Sequence, residues 1–119
     1  MALAPKVEVL YSKVKTFVWT ALTTALSPGN PVEIGNFAPA TGFVVQATGT
    51  FGGATIAMQM SNDGTNFVPL LVTPGGAAVT FAAAGVVQVG GPVPRFVRPV
   101  SSGGAADSVI VTISLPQIV

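Results

Sequence analysis

Carboxylates are the side chains of this 119-residue sequence that could carry acid–base or metal chemistry, because it contains neither histidine nor cysteine. That composition excludes Ser-His and Cys-His dyads and thiolate metal sites. Hydrolysis by paired carboxylates would require two of them to converge across a cleft with different pKa values. The carboxylates are Glu8, Glu33, Asp63 and Asp107, and their spacing does not indicate such a pair. We therefore expect a protein that is not an enzyme and that has no catalytic residue, cofactor or metal site.

Asp63 lies in the segment SNDGTN, residues 61–66, which could be a metal loop, a sugar-contacting loop or a turn. Calcium requires about six to eight oxygen ligands, and this loop offers one carboxylate and two asparagine amides. Asp-Gly between two alternating segments is typical of a hairpin with a type I′ turn, which needs positive φ at both central residues. The sequence therefore predicts a hairpin turn at Asp63 and Gly64.

Alternation of apolar and polar residues is the clearest structural pattern in the chain. It is marked in the segments KTFVWTAL, GFVVQATGTF, ATIAMQM and SVIVTISL, and ten prolines leave few windows for a helix. Glycine-rich turns separate the segments. The sequence predicts an all-β protein, an antiparallel β-sandwich of jelly-roll or other Greek-key type with about eight strands. The candidate strands are 15–22, 31–34, 42–51, 54–60, 66–72, 78–82, 86–89, 95–100 and 108–115.

The first fifteen residues, MALAPKVEVLYSKVK, differ in composition from the rest because they hold three of the five basic residues. We expect residues 1–15 to form an extended arm that precedes a sandwich domain of residues 16–119. A frayed terminus is the alternative.

A shortage of charge is the most informative property of the composition. Charged residues make up 8% of the chain, against about 25% in ordinary soluble domains. A surface so poor in charge tends to associate, so we expect much of it to be covered in an assembly. The net charge of +1 favours no direct nucleic-acid partner, and the uncharged stretches are too interrupted for a membrane span, so we expect no membrane partner.

Arginine and aromatic residues are the other candidates for an interface. Arg95 and Arg98 lie in PRFVRPV on opposite faces of a regular strand, so at least one should point away from the core. They indicate an interface or a solvated edge strand. Trp19 is expected to anchor the core rather than to stack on a sugar, and Phe67 could be buried or contact a ligand.

Two long segments resemble a group of small phage virion proteins. These are FVVQATGTFGGATIAMQMSNDGTNFVPLL and AVTFAAAGVVQVGGPVPRFVRPVSSGGAADSVIVTISL. The family has a TGTFGGAT…GSNDGTNW hairpin, an apolar FTAAG segment, RYIRP and a glycine-rich turn in the same order. The resemblance spans residues 17–115. It departs at Met60, where glycine is usual, at Phe67, where tryptophan is common, and in the first fifteen residues, which have no counterpart.

The resemblance implies a β-sandwich that serves as a structural protein of the virion. We expect a capsid decoration, or cement, protein, made in the host cytoplasm and located on the capsid surface. Its partners would be the major capsid protein and further copies of itself, with a trimer favoured. The alternatives are a tail, neck or fibre-associated structural protein and a glycan-binding jelly-roll module. The expected interface residues are Lys6, Lys13, Lys15, Arg95 and Arg98.

Overall fold

A computed structural model describes residues 3–4, 6–11, 14–34, 42–73, 75–90, 93–105 and 107–116, with only the backbone considered at 6–11, 14–15 and 116. The described strands are β1 (Lys6–Tyr11), β2 (Val14–Leu22), β3 (Val32–Glu33), β4 (Gly42–Thr50), β5 (Thr55–Ser61), β6 (Val68–Pro69), β7 (Thr80–Phe81), β8 (Gly85–Gly90), β9 (Phe96–Ser102) and β10 (Ser108–Pro116). A 3₁₀ helix, η1, spans Thr24–Leu26. Among the described residues no helix is long and apolar enough to cross a membrane.

The strands form two antiparallel sheets that pack face to face as a sandwich. The first sheet has the order β1-β2-β10-β4-β8, and the second has the order β3-β9-β5-β6, with β7 also beside β5. The predicted all-β, antiparallel sandwich is therefore confirmed. Every candidate strand segment contains an observed strand, although β3, β6 and β7 have two residues each.

The N-terminal segment departs from the expected arm. Within residues 1–15, β1 pairs antiparallel with β2 from Lys6↔Val18 to Tyr11↔Val14, and β2 itself begins before residue 16. The backbone is extended as predicted, but it lies at the edge of the first sheet. A division between residues 15 and 16 therefore corresponds to no structural boundary, because it falls inside β2.

The core follows the alternation of the sequence. Trp19 is fully buried, and its Nε1–H donates to the carbonyl oxygen of Asn30 at 3.1 Å, which confirms its role as a core anchor. Gly29 lies so close that a Cβ there would come within 2.8 Å of Trp19 Nε1. Each of the long strands sends every second side chain inward. Examples of fully or nearly fully buried side chains are Phe43, Val45, Ala47, Ile56, Met58, Val97, Val109, Val111, Ile113 and Leu115.

A buried polar cluster joins η1 to the strands at one end of the sandwich. Oδ2 of Asp107 accepts from the Thr24 amide at 2.9 Å, from the Thr24 hydroxyl at 3.0 Å and from the Ser101 hydroxyl at 3.1 Å. Thr24 Oγ1 also accepts from the Gly104 amide. Burial raises the pKa of Asp107, but these hydrogen bonds outweigh it and hold the pKa below its ordinary value. The cluster therefore ties η1, β9 and the loop before β10 together through one carboxylate.

We predict that Asp107 makes the protein acid-sensitive. Because its pKa is lowered in the folded state, its contribution to stability is complete above the ordinary aspartate pKa of about 3.9 and is lost as the pH falls through the folded value. Asp107→Asn should lower the unfolding free energy at neutral pH and flatten its decline as the pH falls below about 4. Denaturant unfolding followed by Trp19 fluorescence measures both, since this is the sole tryptophan. An unchanged acid slope in the variant would contradict the assignment.

Candidate functional site

The outward face of the second sheet carries the arginines predicted to form an interface. In β9, Val97, Pro99 and Ser101 point inward, so Phe96 and Arg98 point outward. The paired residue of Arg98 on β5 is Gln59, which shares this face. We call the surface formed by Gln59, Phe67, Arg95, Phe96 and Arg98 the arginine face.

Arg98 is held in place by two different contacts. Its Nε–H donates to Oε1 of Gln59 at 2.8 Å, and its guanidinium lies 3.8 Å from the centroid of the Phe67 ring. Stacking on an aromatic ring and a hydrogen bond to a neighbouring strand restrict a side chain that otherwise has large rotamer entropy. The Nη groups of Arg98 donate to no described residue, so this pre-oriented fork is available to carbonyl or carboxylate oxygens of a partner.

Arg95 is engaged differently. Its Nε lies 2.6 Å from Oε2 of Glu33, and the Arg95 side chain is 58% exposed. Its guanidinium also lies 5.1 Å from the centroid of the Phe96 ring. Arg95 precedes the first residue of β9, so it does not take the inward direction that a longer regular strand would give it. The expectation that at least one arginine points away from the core is confirmed, and both do.

The SNDGTN segment forms the hairpin connection between β5 and β6, but not as a two-residue type I′ turn. Met60 pairs with Val68, so the connecting loop spans residues 61–67. The Ser61 hydroxyl accepts from the amides of Asp63 and Gly64 at 3.2 and 2.9 Å. The hairpin prediction is thus confirmed and the turn type is wrong, because local side-chain hydrogen bonds stabilise a longer loop. Gly64 has a φ of +77°, and a Cβ there would contact the Phe96 ring.

Asp63 is occupied by its own loop. Its Oδ1 accepts from the amides of Thr65 and Asn66 at 2.9 and 2.8 Å and from the Ser61 hydroxyl at 2.9 Å. Its Oδ2 accepts from Asn66 Nδ2 at 2.8 Å. The amides of Asn66 and Thr65 contribute most to a pKa held well below the ordinary aspartate value. The described residues contain no group of three or more His, Cys, Asp or Glu side chains that could hold a metal ion. The hydrogen bonds of the Asp63 carboxylate hold its own loop in shape.

A small cavity lies beside the loop. Its volume is about 160 Å³, and its lining comprises Met60, Ser61, Asn62, Asn66, Val68 and Pro94. Pockets that hold small ligands are typically about 300–1,000 Å³. A sugar platform would need an aromatic residue, which this lining lacks, and Arg98 already covers one face of Phe67. The cavity can accommodate one apolar side chain of a partner.

The other basic residues predicted for the interface lie elsewhere. Lys6 is on β1 and Lys15 is on β2, both in the first sheet, and their side chains lie outside the described residues. Lys13 lies wholly outside the described residues. The structure therefore brings together Arg95 and Arg98, and it places Lys6 and Lys15 on the other sheet.

Three members of this site were not anticipated from the sequence. Gln59 and Phe96 are outward residues of predicted strands, and Glu33 lies on β3, far from Arg95 in sequence. The alternation of side chains along the predicted strands would have been enough to identify Gln59 and Phe96 as outward-facing residues. The ion pair of Glu33 with Arg95 required knowledge that β3 lies beside β9, and no local pattern provides it.

Comparison with solved structures identifies the class of fold. The chain is similar to the crystal structure of the SPBc2 prophage-derived protein YomS, with a TM-score of 0.61, 12% identity, and coverage of 91% of this chain and 98% of that one. Identity at this level shows a shared fold and nothing about activity. No protein-family model matches the chain, and no curated protein sequence matches it. The fold is therefore a β-sandwich that also occurs in a prophage-derived protein.

We predict that Asp63 protects the loop amides. In Asp63→Ala, hydrogen exchange at the Thr65 and Asn66 amides should accelerate about tenfold or more, because both lose their acceptor. Protection in the unsubstituted protein should persist at a pH near the ordinary aspartate pKa of about 3.9, since the pKa of Asp63 is lowered. Ser61→Ala is the matched control, because it removes the acceptor of the Asp63 and Gly64 amides instead. Equal exchange rates of the Thr65 and Asn66 amides in Asp63→Ala and in the unsubstituted protein would contradict the prediction.

Proposed function

We propose that this chain is a structural protein of a phage virion that decorates the outer surface of the capsid and reinforces contacts between major capsid proteins. It acts by binding alone, without catalysis, cofactor or metal. Two independent lines support a phage protein. The order of short motifs between residues 17 and 115 resembles small phage virion proteins, and the fold is similar to that of the SPBc2 prophage-derived protein YomS.

The low availability of charge at the surface is the observation that carries the proposal. Glu33 is paired with Arg95, the exposed Asp63 is hydrogen-bonded within its own loop, and Asp107 is buried in a polar cluster. Of the two arginine side chains that the structure describes, Arg98 is the one without a carboxylate partner. The part of the surface that the structure describes thus has little free charge, which suits a protein whose faces are covered in an assembly.

Exposed apolar side chains add to this argument. Val68, Val86 and Ile110 are exposed by 52%, 59% and 40%. Burial of apolar area on a neighbouring subunit stabilises a complex by about 25 cal/mol per Å², which is how a small sandwich can bridge capsid subunits against internal pressure. Self-association and binding to the major capsid protein both belong to the proposal.

Arg98 is the residue best suited to anchor the contact with the shell. Arginine and aromatic residues dominate the binding energy of protein interfaces, above all where the side chain is ordered before binding. The guanidinium of Arg98 is ordered by Phe67 and Gln59 and presents free donors. Arg95 is the weaker candidate, because its donor is already engaged by Glu33 in an exposed ion pair.

We predict that Arg98→Ala weakens binding to capsid shells that lack the protein by about tenfold or more. Arg98→Lys should lose most of this affinity too, since lysine keeps the charge but not the planar fork. Arg95→Ala is the matched control, because it removes the same charge from the same face and should change affinity by less than about threefold. Co-sedimentation of purified protein with shells, quantified by gel densitometry, measures all three.

The wild-type result separates the proposal from its alternatives. Saturable binding at a copy number comparable with that of the major capsid protein supports the shell. Failure to bind shells would overturn decoration. A copy number per virion far below that of the major capsid protein, as expected for one or a few rings of subunits, would assign the protein to the tail or neck.

A further inference from the structure

The first sheet ends in an edge strand that lacks the usual protection against pairing. Edge strands expose unpaired amides and carbonyls, and proteins blunt them with charge, proline, bulges or short length. Strand β8, with the sequence GVVQVG, has six residues, no charge and no proline. Its pairing with β4 is regular over its whole length, without a bulge.

The other described edges are protected. Strand β3 has two residues, includes Glu33 and follows Pro31, and β6 has two residues and includes Pro69. Strand β7, which also pairs with β5, has two residues. Strand β1, at the opposite edge of the first sheet, includes a lysine and a glutamate. Among the described edges, β8 is therefore the one open to another strand.

One hydrogen bond reveals which groups of β8 face outward. The amide of Gly90 donates to the carbonyl oxygen of Val72 at 2.8 Å, on the side away from β4. In a regular antiparallel strand, alternate residues direct both N–H and C=O to the same side. Val86 and Gln88 therefore also direct their backbone groups outward, and no described residue pairs with them. The Val72 segment closes the edge at Gly90, so the open stretch runs from Gly85 to Val89.

The open stretch is self-complementary in one register. If two copies of β8 meet antiparallel around a two-fold axis at Val87, Val86 of each copy lies opposite Gln88 of the other. All outward amides and carbonyls of these residues then form reciprocal hydrogen bonds. Gly90, whose amide is already used, lies beyond the pairing. Shifting the axis to Gln88 would place Val86 opposite Gly90, whose amide is already used, so fewer reciprocal bonds would form.

We propose that β8 is a docking edge for β8 of a second copy of this chain, which joins two first sheets into one continuous sheet. A second copy fits because the two-fold axis places Val87 opposite Val87 and Val86 opposite Gln88, and a neutral strand meets its own image without charge repulsion. The half-buried Val87 would meet its symmetry mate on the inner side. The inference stands on β8 alone and is independent of binding to a shell.

The direct test removes one outward amide. Gln88→Pro deletes an N–H that no described residue uses, at an edge position where proline is tolerated. Since one bond is lost in each copy, the dissociation constant of the dimer should rise about thirtyfold, as measured by analytical ultracentrifugation over a protein dilution series. In the unsubstituted protein, hydrogen exchange at Val86 and Gln88 should slow as concentration rises, with the Gly90 amide as a concentration-independent reference.

A pair of double variants tests the register without proline. Val86→Glu with Gln88→Glu places like charges directly opposite and should abolish the dimer, whereas Val86→Lys with Gln88→Glu places opposite charges there and should retain it. Gln46→Lys is the control for association through the outer face of the sheet instead of its edge. Gln46 is exposed on β4 beside Val86, so this substitution should leave an edge-to-edge dimer intact. The proposal would be overturned if the unsubstituted protein were a monomer, or a trimer whose Val86 and Gln88 amides are not protected from exchange. Equal loss of the dimer in both double variants would also overturn it.

Discussion

The alternation of side chains along paired strands is the constraint on which the rest of this structure depends. Strand β10 lies between β2 and β4 and places Val111 opposite Trp19 and Ala47, all three of them buried. A shift of one residue would bring this apolar row to solvent and threonines into the core, so burial holds the register. Once the register is set, the direction of every outward side chain follows from it.

The two outer surfaces differ because the same constraint acts on different sequences. On the second sheet it directs Arg98 and Gln59 outward as a pair, and the loop after β5 brings Phe67 under the guanidinium. On the first sheet, the register row from Thr112 through Gln46 to Val86 is neutral. One face thus presents an oriented cation, and this row presents hydroxyl, amide and methyl groups.

The aspartates that the structure describes form hydrogen bonds with nearby residues, so their charge is not free to bind a partner. Asp107 accepts three hydrogen bonds, and Asp63 accepts four. Because each carboxylate is bound in its charged form, its pKa is lowered and it stabilises the fold at neutral pH. Both carboxylates therefore serve to hold the local structure together.

The sequence by itself determined the class of fold, the positions of the strand segments and the hairpin around SNDGTN, because each follows from local periodicity and turn chemistry. It also selected Trp19 as a core residue and at least one arginine of PRFVRPV as outward. It did not yield β1 as an edge strand, the ion pair of Arg95 with Glu33 or the cluster around Asp107. These depend on which strands become neighbours, and contacts between residues far apart in sequence have no local pattern. The tertiary structure alone decided them, as it decided that β8 lies at an open edge.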